Sequence, residues 1–377
     1  MSGHLRELVV DLDAISSNTA VLVDRSTSGQ VMAVVKADAY GHGLVPSAEA
    51  ALRGGASWLG VALLDEALQL RRAGITAPVL SWLVGPGEQW AEAVTADVDV
   101  SVATPWMLEE LSEVARQVGR TARVHLKVDS GLGRSGIPVA QWPLLVDLAR
   151  GAEAEGTIEV VGVWSHLAYA DAPGHPTIDR QLEVFTEAVQ LAEAAGLRPH
   201  VRHLANSAAT LTRPDTHFDL TRPGLSVYGL SPLPDSPPAE LGLRPAMTLL
   251  ARLALVKQVE SGQGVSYLHR YVTNRATTLG LVPLGYADGI PRDATNVGPV
   301  MVGGRRRTVA GVVCMDQFML DLGGDDVEPG AVVTLFGSGG GGEPTAQDWA
   351  DATGTNSYEI VTRIGPRVAR RYVGGPA

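Results

Sequence analysis

Five short stretches of this 377-residue sequence carry side chains suited to chemistry. VVKADAYGHG holds Lys36. HLKVDSGLGR holds Lys127, Asp129 and Arg134. EVVGVWSH ends in Ser165-His166, VRHLANS ends in Asn206-Ser207, and Arg222 and Gly224 precede LSVYGL. A lysine in a buried pocket loses its proton more readily and can condense with an aldehyde. Backbone N–H groups around Ser207 and Gly224-Leu225 can hold a phosphate, with glycine permitting close approach. An arginine offers a planar, donor-only cation to a ring nitrogen. Together these are the needs of pyridoxal phosphate. Each residue also has a plainer role: Lys36 as a solvated strand end, His166 as a satisfied interior histidine, Arg222 as half of an ion pair, Ser207 as a helix N-cap.

The elements that must position these residues alternate between β-branched runs and helical patterns from about residue 30 to 230. Strands are expected at VMAVVKA (from Val31), WLGVAL (from Trp58), PVLSWL (from Pro78), VDVSVA (from Val98), RVHLKVD (from Arg123), EVVGVWSH (from Glu159), VRHLAN (from Val201) and LSVYGL (from Leu225). Between them lie helical patterns such as PWMLEELSEVARQVG, with Leu108, Leu111 and Val114 on one face. Eight such strands predict a (β/α)8 TIM-type barrel, whose active sites lie at the C-terminal strand ends, where the polar residues fall. An open doubly wound sheet would accommodate the same alternation, but no glycine-rich dinucleotide fingerprint follows the first strand.

Near residue 232 the pattern changes. SPLPDSPPAELGLRP reads as a boundary loop, followed by β-rich sequence: TLLARLALVKQV, TTLGLVPLGYADG, VMVGGRRRTVAGVVCMDQFMLDLG and AVVTLFGS. The expected division is a cofactor-binding barrel over residues 1–235 and a C-terminal mostly-β domain over 236–377, which the extreme N-terminus is a candidate to join. A lone helix, TAQDWADATG, opens at Thr345, an N-cap residue. GSGGGGEP reads as a surface turn, because no Lys-Ser/Thr follows it to make a phosphate loop.

Net charge is −11, from 30 basic and 41 acidic side chains, which argues against a nucleic-acid partner. A single cysteine, Cys314, excludes an internal disulfide. With no signal-peptide pattern at the start and no apolar run long enough to span a bilayer, the expectation is a cytoplasmic protein with no membrane partner. No metal site is expected.

At VVKADAYGHG and beyond, the sequence resembles the alanine racemases of the fold-type III pyridoxal-phosphate class over nearly its whole length. The resemblance implies that Lys36 holds the cofactor and that Tyr40 contacts its phosphate. Within LKVDSGLGR it implies a carbamylated Lys127 fixing Arg134, which binds the cofactor's phenolic oxygen and helps bind substrate. WSHLAYAD supplies His166; HLANSAA supplies Asn206 and Ser207; TRPGLSVYG supplies Arg222, Gly224 and Leu225. GVSYLHRY supplies the second base, Tyr267. GYADGIPR supplies Tyr286 and Arg292 at the substrate entrance, CMDQF supplies Met315 and Asp316, and SYEIVTRIGPR supplies Tyr358, a further phosphate contact.

The implied activity is interconversion of L- and D-alanine by two bases, Lys36 and Tyr267, on opposite faces of Cα, supplying D-alanine for peptidoglycan. The implied assembly is a homodimer whose site is shared between chains. A free tyrosine titrates near about 10, so a base of this kind needs help; His166, with Arg222 behind it, is the implied support. A donor-only arginine at the ring nitrogen would keep that nitrogen an unprotonated acceptor, weakening the cofactor as an electron sink and limiting transamination. Two other readings stay open: a racemase of the same type acting on serine or another small amino acid, and a non-catalytic carrier of pyridoxal phosphate, against which Tyr267 and CMDQF argue. Five positions depart from the family pattern. Val312 stands where an arginine is usual, Leu268 replaces a glycine, Asn356-Ser357 replaces Ile-Asn, and Tyr169 replaces a small residue. The resemblance implies that Val312, Tyr169 and Asn356 lie along the substrate entrance.

Overall fold

The computed structural model describes residues 4–375. The chain forms two compact units, one of residues 15–39 and 44–243, the other of residues 4–14, 40–43 and 244–375.

In the first unit, seven strands run parallel in chain order: Met32–Val34, Trp58–Val61, Val79–Ser81, Asp99–Val102, Ala122–Asp129, Ile158–Trp164 and Val201–His203. Their composition explains them: runs such as WLGV and DVSV are buried at every position, as strands covered on both faces must be. The eighth position differs from the expectation at LSVYGL. Leu225–Tyr228 is a 3-10 helix, because Gly224, at φ −115° and ψ −80°, turns the chain before it and Gly229, at φ 77°, ends it. The sheet is closed instead by residues 219–223. Their backbone bonds one edge strand through Asp219 N–H to Arg202 O and Arg222 N–H to Ala205 O, and the other through Thr221 N–H to Gln30 O and Met32 N–H to Thr221 O. Met32, Trp58, Leu80, Val161, Val201 and Leu220 pack as one buried cluster.

Helices separate the strands. Pro105–Val118 starts after Thr104 with proline in its first turn and ends at Gly119, φ 68°. It buries Leu108 and Leu111, whereas Val114 is half-buried at the rim of that face.

The second unit is mostly β. One six-stranded sheet has the order Arg305–Thr308, Pro299–Val302, Val332–Phe336, Met247–Arg252, Arg6–Asp11 and Ala369–Val373; a three-stranded sheet joins Leu255–Val259, Thr277–Val282 and Phe318–Gly323. The helix Ala346–Thr353 opens with a capping box between Thr345 and Asp348. In GSGGGGEP the Glu343 carboxylate accepts from Gly339 N–H, Gly341 N–H and Ser338 Oγ, so a side chain orders the turn. No helix among the described residues is long and apolar enough to cross a membrane.

The segment presenting Lys36 has an uncommon backbone. Ala37, Asp38, Ala39 and Tyr40 lie consecutively at φ 53–55°, a single left-handed turn, with Ala39 N–H bonding Val35 O at 2.8 Å. L-residues lose roughly 1–2 kcal/mol each in this region. Side chains hold the turn: Glu66 Oε1 accepts from Ala37 N–H at 2.6 Å, and Asp38 Oδ1 accepts from Leu44 N–H at 2.8 Å. Ala37→Gly relieves one such residue at the cost of a more flexible unfolded chain, about 0.4–1 kcal/mol. The urea midpoint of Ala37→Gly is therefore expected to equal or exceed that of the parent. A loss of about 1 kcal/mol, the usual cost of this change in a right-handed helix, would contradict the account.

Candidate active site

Lys36, Lys127, Arg134, His166, Asn206, Ser207, Arg222, Gly224 and Leu225 all belong to the barrel unit, on or just beyond the C-terminal ends of its strands. Electrostatic coupling shows which of them converge. Lys36 is half-buried, and burial, reinforced by Arg134, lowers its pKa against the opposing pull of Glu66. Lys127 is buried, and burial with Arg222, Arg134 and Lys36 nearby lowers it to about 7, despite Asp129. Its Nζ donates to Ser135 Oγ at 3.1 Å and stands 4.0 Å from the Trp164 ring centroid.

Asp129 accepts the N–H groups of Gly131, Leu132 and Gly133, at 2.9–3.2 Å, and so holds the loop that presents Arg134 at the surface. Gly136 closes the loop at φ 121°, where a Cβ would stand 2.6 Å from Asp129 N.

Arg222 is buried, and its partners include no carboxylate. Its guanidinium donates to Ser165 O at 2.8 Å, Leu204 O at 3.2 Å, His203 Nδ1 at 3.2 Å and His166 Nδ1 at 3.3 Å, and lies 4.8 Å from the Trp164 centroid. Burial lowers its pKa to about 9, still protonated at neutral pH. Because arginine only donates, His166 must accept at Nδ1 and carry its proton on Nε2. Burial, then Arg222 and the other cations, hold His166 neutral, with a pKa well below the usual value. Asn206, rather than Ser207, is the N-cap of Ser207–Thr212, accepting from Ala209 N–H. Ser207 Oγ accepts from Gly224 N–H at 2.8 Å, and more weakly from Ser226 N–H at 3.4 Å, tying the two phosphate-candidate segments together. Leu225 is buried beside them in sequence.

Tyr40, Tyr267, Tyr286, Arg292, Met315, Asp316 and Tyr358 belong to the other unit. There Tyr40 and Tyr358 face each other at 6.2 Å between ring centroids, and burial, then Tyr358, raises the Tyr40 pKa. Tyr286 N–H and Ala287 N–H bond Cys314 O and Met315 O, while Ser266 Oγ bonds Val312 O. Gly285 permits this approach, since a Cβ there would fall 2.3 Å from both the Cys314 and Met315 carbonyls. These contacts gather Tyr267, Leu268, Tyr286 and Met315, which are 69%, 76%, 44% and 53% exposed. Asp316 bonds Arg367 at 2.7 Å.

Val312 is buried at 3% exposure. Asn356 is the N-cap of Ser357–Thr362, accepting from Glu359 N–H at 3.0 Å, a role isoleucine cannot fill. Tyr169 stacks on His175 at 3.9 Å. Nothing in the structure explains Leu268.

Sequence reasoning passed over Glu66 and the buried Asp99, His125 and His203. Polar residues at inward positions of otherwise apolar strands were the available signal: Asp99 in VDVSVA, His125 two residues from Lys127, and His203 in VRHLAN.

A site that gathers four basic side chains, three of them with lowered pKa, fits a ligand carrying a phosphate, an oxyanion and an acceptor nitrogen, as pyridoxal phosphate does. The family model "Alanine racemase, N-terminal domain" matches residues 10–232, and "Alanine racemase, C-terminal domain" matches residues 246–372. An alanine racemase of Frankia casuarinae is 62% identical, over 97% of this chain and 95% of its own. The crystal structure of alanine racemase from D-cycloserine-producing Streptomyces lavendulae is 55% identical, with a TM-score of 0.98 over 100% of this chain and 99% of that one. An alanine racemase of Bacillus anthracis solved with bound L-Ala-P is 37% identical, with a TM-score of 0.89 over 99% and 96%. The chain belongs to the alanine racemase family.

Proposed function

We propose that the protein interconverts L- and D-alanine with pyridoxal phosphate, using Lys36 and Tyr267 as its two bases, in the cytoplasm and in supply of peptidoglycan. The observation that carries the site is the gathering of buried Lys127 and Arg222 with half-buried Lys36 and exposed Arg134, where burial, reinforced by the neighbouring cations, lowers the lysine pKa values. When bound, pyridoxal phosphate makes the Cα proton of an amino acid acidic enough for side-chain bases to remove. Lys36 holds the cofactor and, with its lowered pKa, takes or returns that proton on one face. Ser207, Asn206, Gly224 and Leu225 bind the phosphate, joined on the family pattern by Tyr40 and Tyr358. Arg222 donates to the ring nitrogen and Arg134 to the phenolic oxygen.

Tyr267 serves the other face. Its exposure in a single chain supports completion of the site by a second chain in a homodimer, with Met315, Asp316 and Tyr286 meeting substrate there. His166, fixed with its proton on Nε2, is the donor that supports the tyrosine oxygen. Lys127, with a pKa near 7, offers a neutral amine that adds carbon dioxide and releases a proton, giving a carbamate anion between Arg222 and Arg134.

Two outcomes are expected. The purified protein forms D-alanine from L-alanine; Lys36→Ala and Tyr267→Ala each abolish this, and mixing the two variants restores part of it in mixed dimers. Absence of D-alanine with the parent would overturn the reaction, and no recovery despite confirmed subunit exchange would place both bases in one chain. For Lys127, the amine is neutral above its pKa. Carbon-13 bicarbonate is therefore expected to give a carbamate NMR signal about one pH unit above 7, fading about one unit below it. A signal that persists in Lys127→Ala would assign it to another residue.

A further inference from the structure

Beneath Arg222, the barrel interior holds a continuous line of hydrogen bonds that the chemistry above does not use. Arg222 Nη1 meets His203 Nδ1 at 3.2 Å, His203 Nε2 meets His125 Nδ1 at 2.8 Å, and His125 Nε2 meets Asp99 Oδ2 at 3.1 Å. Asp99 Oδ1 accepts from Arg123 Nε at 2.6 Å. Both histidines are fully buried and Asp99 is 1% exposed. We propose that Asp99, His125 and His203 form a one-directional relay that fixes the guanidinium of Arg222 as the donor facing the cofactor ring nitrogen, and so sets the balance between racemisation and transamination. This rests on the placement of Arg222 at that nitrogen.

The direction follows from the two ends. Arg222 only donates, so His203 accepts at Nδ1 and carries its proton on Nε2. That proton is donated to His125 Nδ1, which puts the His125 proton on Nε2, where the Asp99 carboxylate accepts it. Every donor then meets an acceptor with both imidazoles neutral and Asp99 ionised. Burial alone would raise the Asp99 pKa, but its bonds to His125 and Arg123 outweigh this and hold it low. The fold makes room for the line: Gly162 lies opposite His125 in register, and a Cβ there would stand 2.3 Å from His125 Nδ1. His203 stacks on Trp164 at 5.6 Å and 5°, and His125 meets Trp58 edge-on at 5.5 Å. These are positioning residues, acting on the reaction only through Arg222.

Asp99→Asn tests the direction, because an amide offers one acceptor and one donor. Arg123 always donates and claims the amide oxygen, leaving the NH2 toward His125. His125 and then His203 must reverse their tautomers, and His203 would present N–H to the donor-only Arg222. In holoenzyme labelled with nitrogen-15 histidine, the parent is expected to show both rings protonated on Nε2, and Asp99→Asn to show both on Nδ1. The ratio of transamination to racemisation is expected to rise roughly tenfold, the worth of one charge-assisted hydrogen bond, with KM for alanine little changed. Retained tautomers together with an unchanged ratio would overturn the relay.

Should Asp99→Asn fail to fold, the His125 variants decide the matter. His125→Gln can accept from His203 and donate to Asp99, so it keeps the parent ratio, whereas His125→Leu raises it; identical ratios in the two would overturn the relay. Arg222→Gln is the control. If it leaves the ratio unchanged, the placement of Arg222 has failed, while the parent tautomers still judge the line of bonds by itself.

Discussion

Everything in the barrel mouth is organised around the repulsion among Lys36, Lys127, Arg134 and Arg222. Two unit charges about 4 Å apart near a protein surface interact by about 4 kcal/mol, and burial removes the water that would screen them. The fold cannot hold four such cations fully charged at no cost. The lysines yield, Lys127 to about 7 and Lys36 in the same direction, while Arg222 stays protonated. Burial, reinforced by this repulsion, makes a reactive amine and keeps His166 neutral so that its Nδ1 can accept from Arg222, and the gathered cations create demand for an anionic ligand.

The scaffold limits this cost without neutralising the pocket. Trp164 presents its ring to both Lys127 and Arg222, and the Trp82 ring lies 5.9 Å from Lys36 Nζ. The nearby carboxylates are assigned elsewhere. Asp129 wraps three backbone N–H groups, and Glu66 holds the left-handed turn after Lys36 together with Ala62 N–H and Leu63 N–H. A carboxylate free to pair with Lys127 would raise its pKa and remove the neutral amine. Strain in the turn and crowding in the pocket belong to one design, in which packing elsewhere stabilises a region that is locally unfavourable.

Much of this was legible in the sequence because the chemistry falls where strand periodicity ends. Lys36, Lys127, Ser165-His166 and Asn206-Ser207 each follow an apolar run, so seven strand positions and the polar series could be read together. The eighth could not. LSVYGL has the composition of a strand, but Gly224 and Gly229 bend it into a 3-10 helix, and the closing segment is the short, less apolar stretch at 219–223. The left-handed turn at Ala37–Tyr40 was also invisible, since alanine and tyrosine carry no signal for positive φ. Asp99, His125 and His203 were passed over because a polar residue inside a strand gives no hint of its partner until the strands are set side by side.

Borohydride reduction of the loaded protein followed by peptide mapping tests directly whether Lys36, its pKa lowered by burial and by Arg134, is the amine that holds pyridoxal phosphate. One reduced pyridoxyl group per chain is expected, on the peptide containing Lys36. Label on Lys127, or spread over surface lysines, would contradict it.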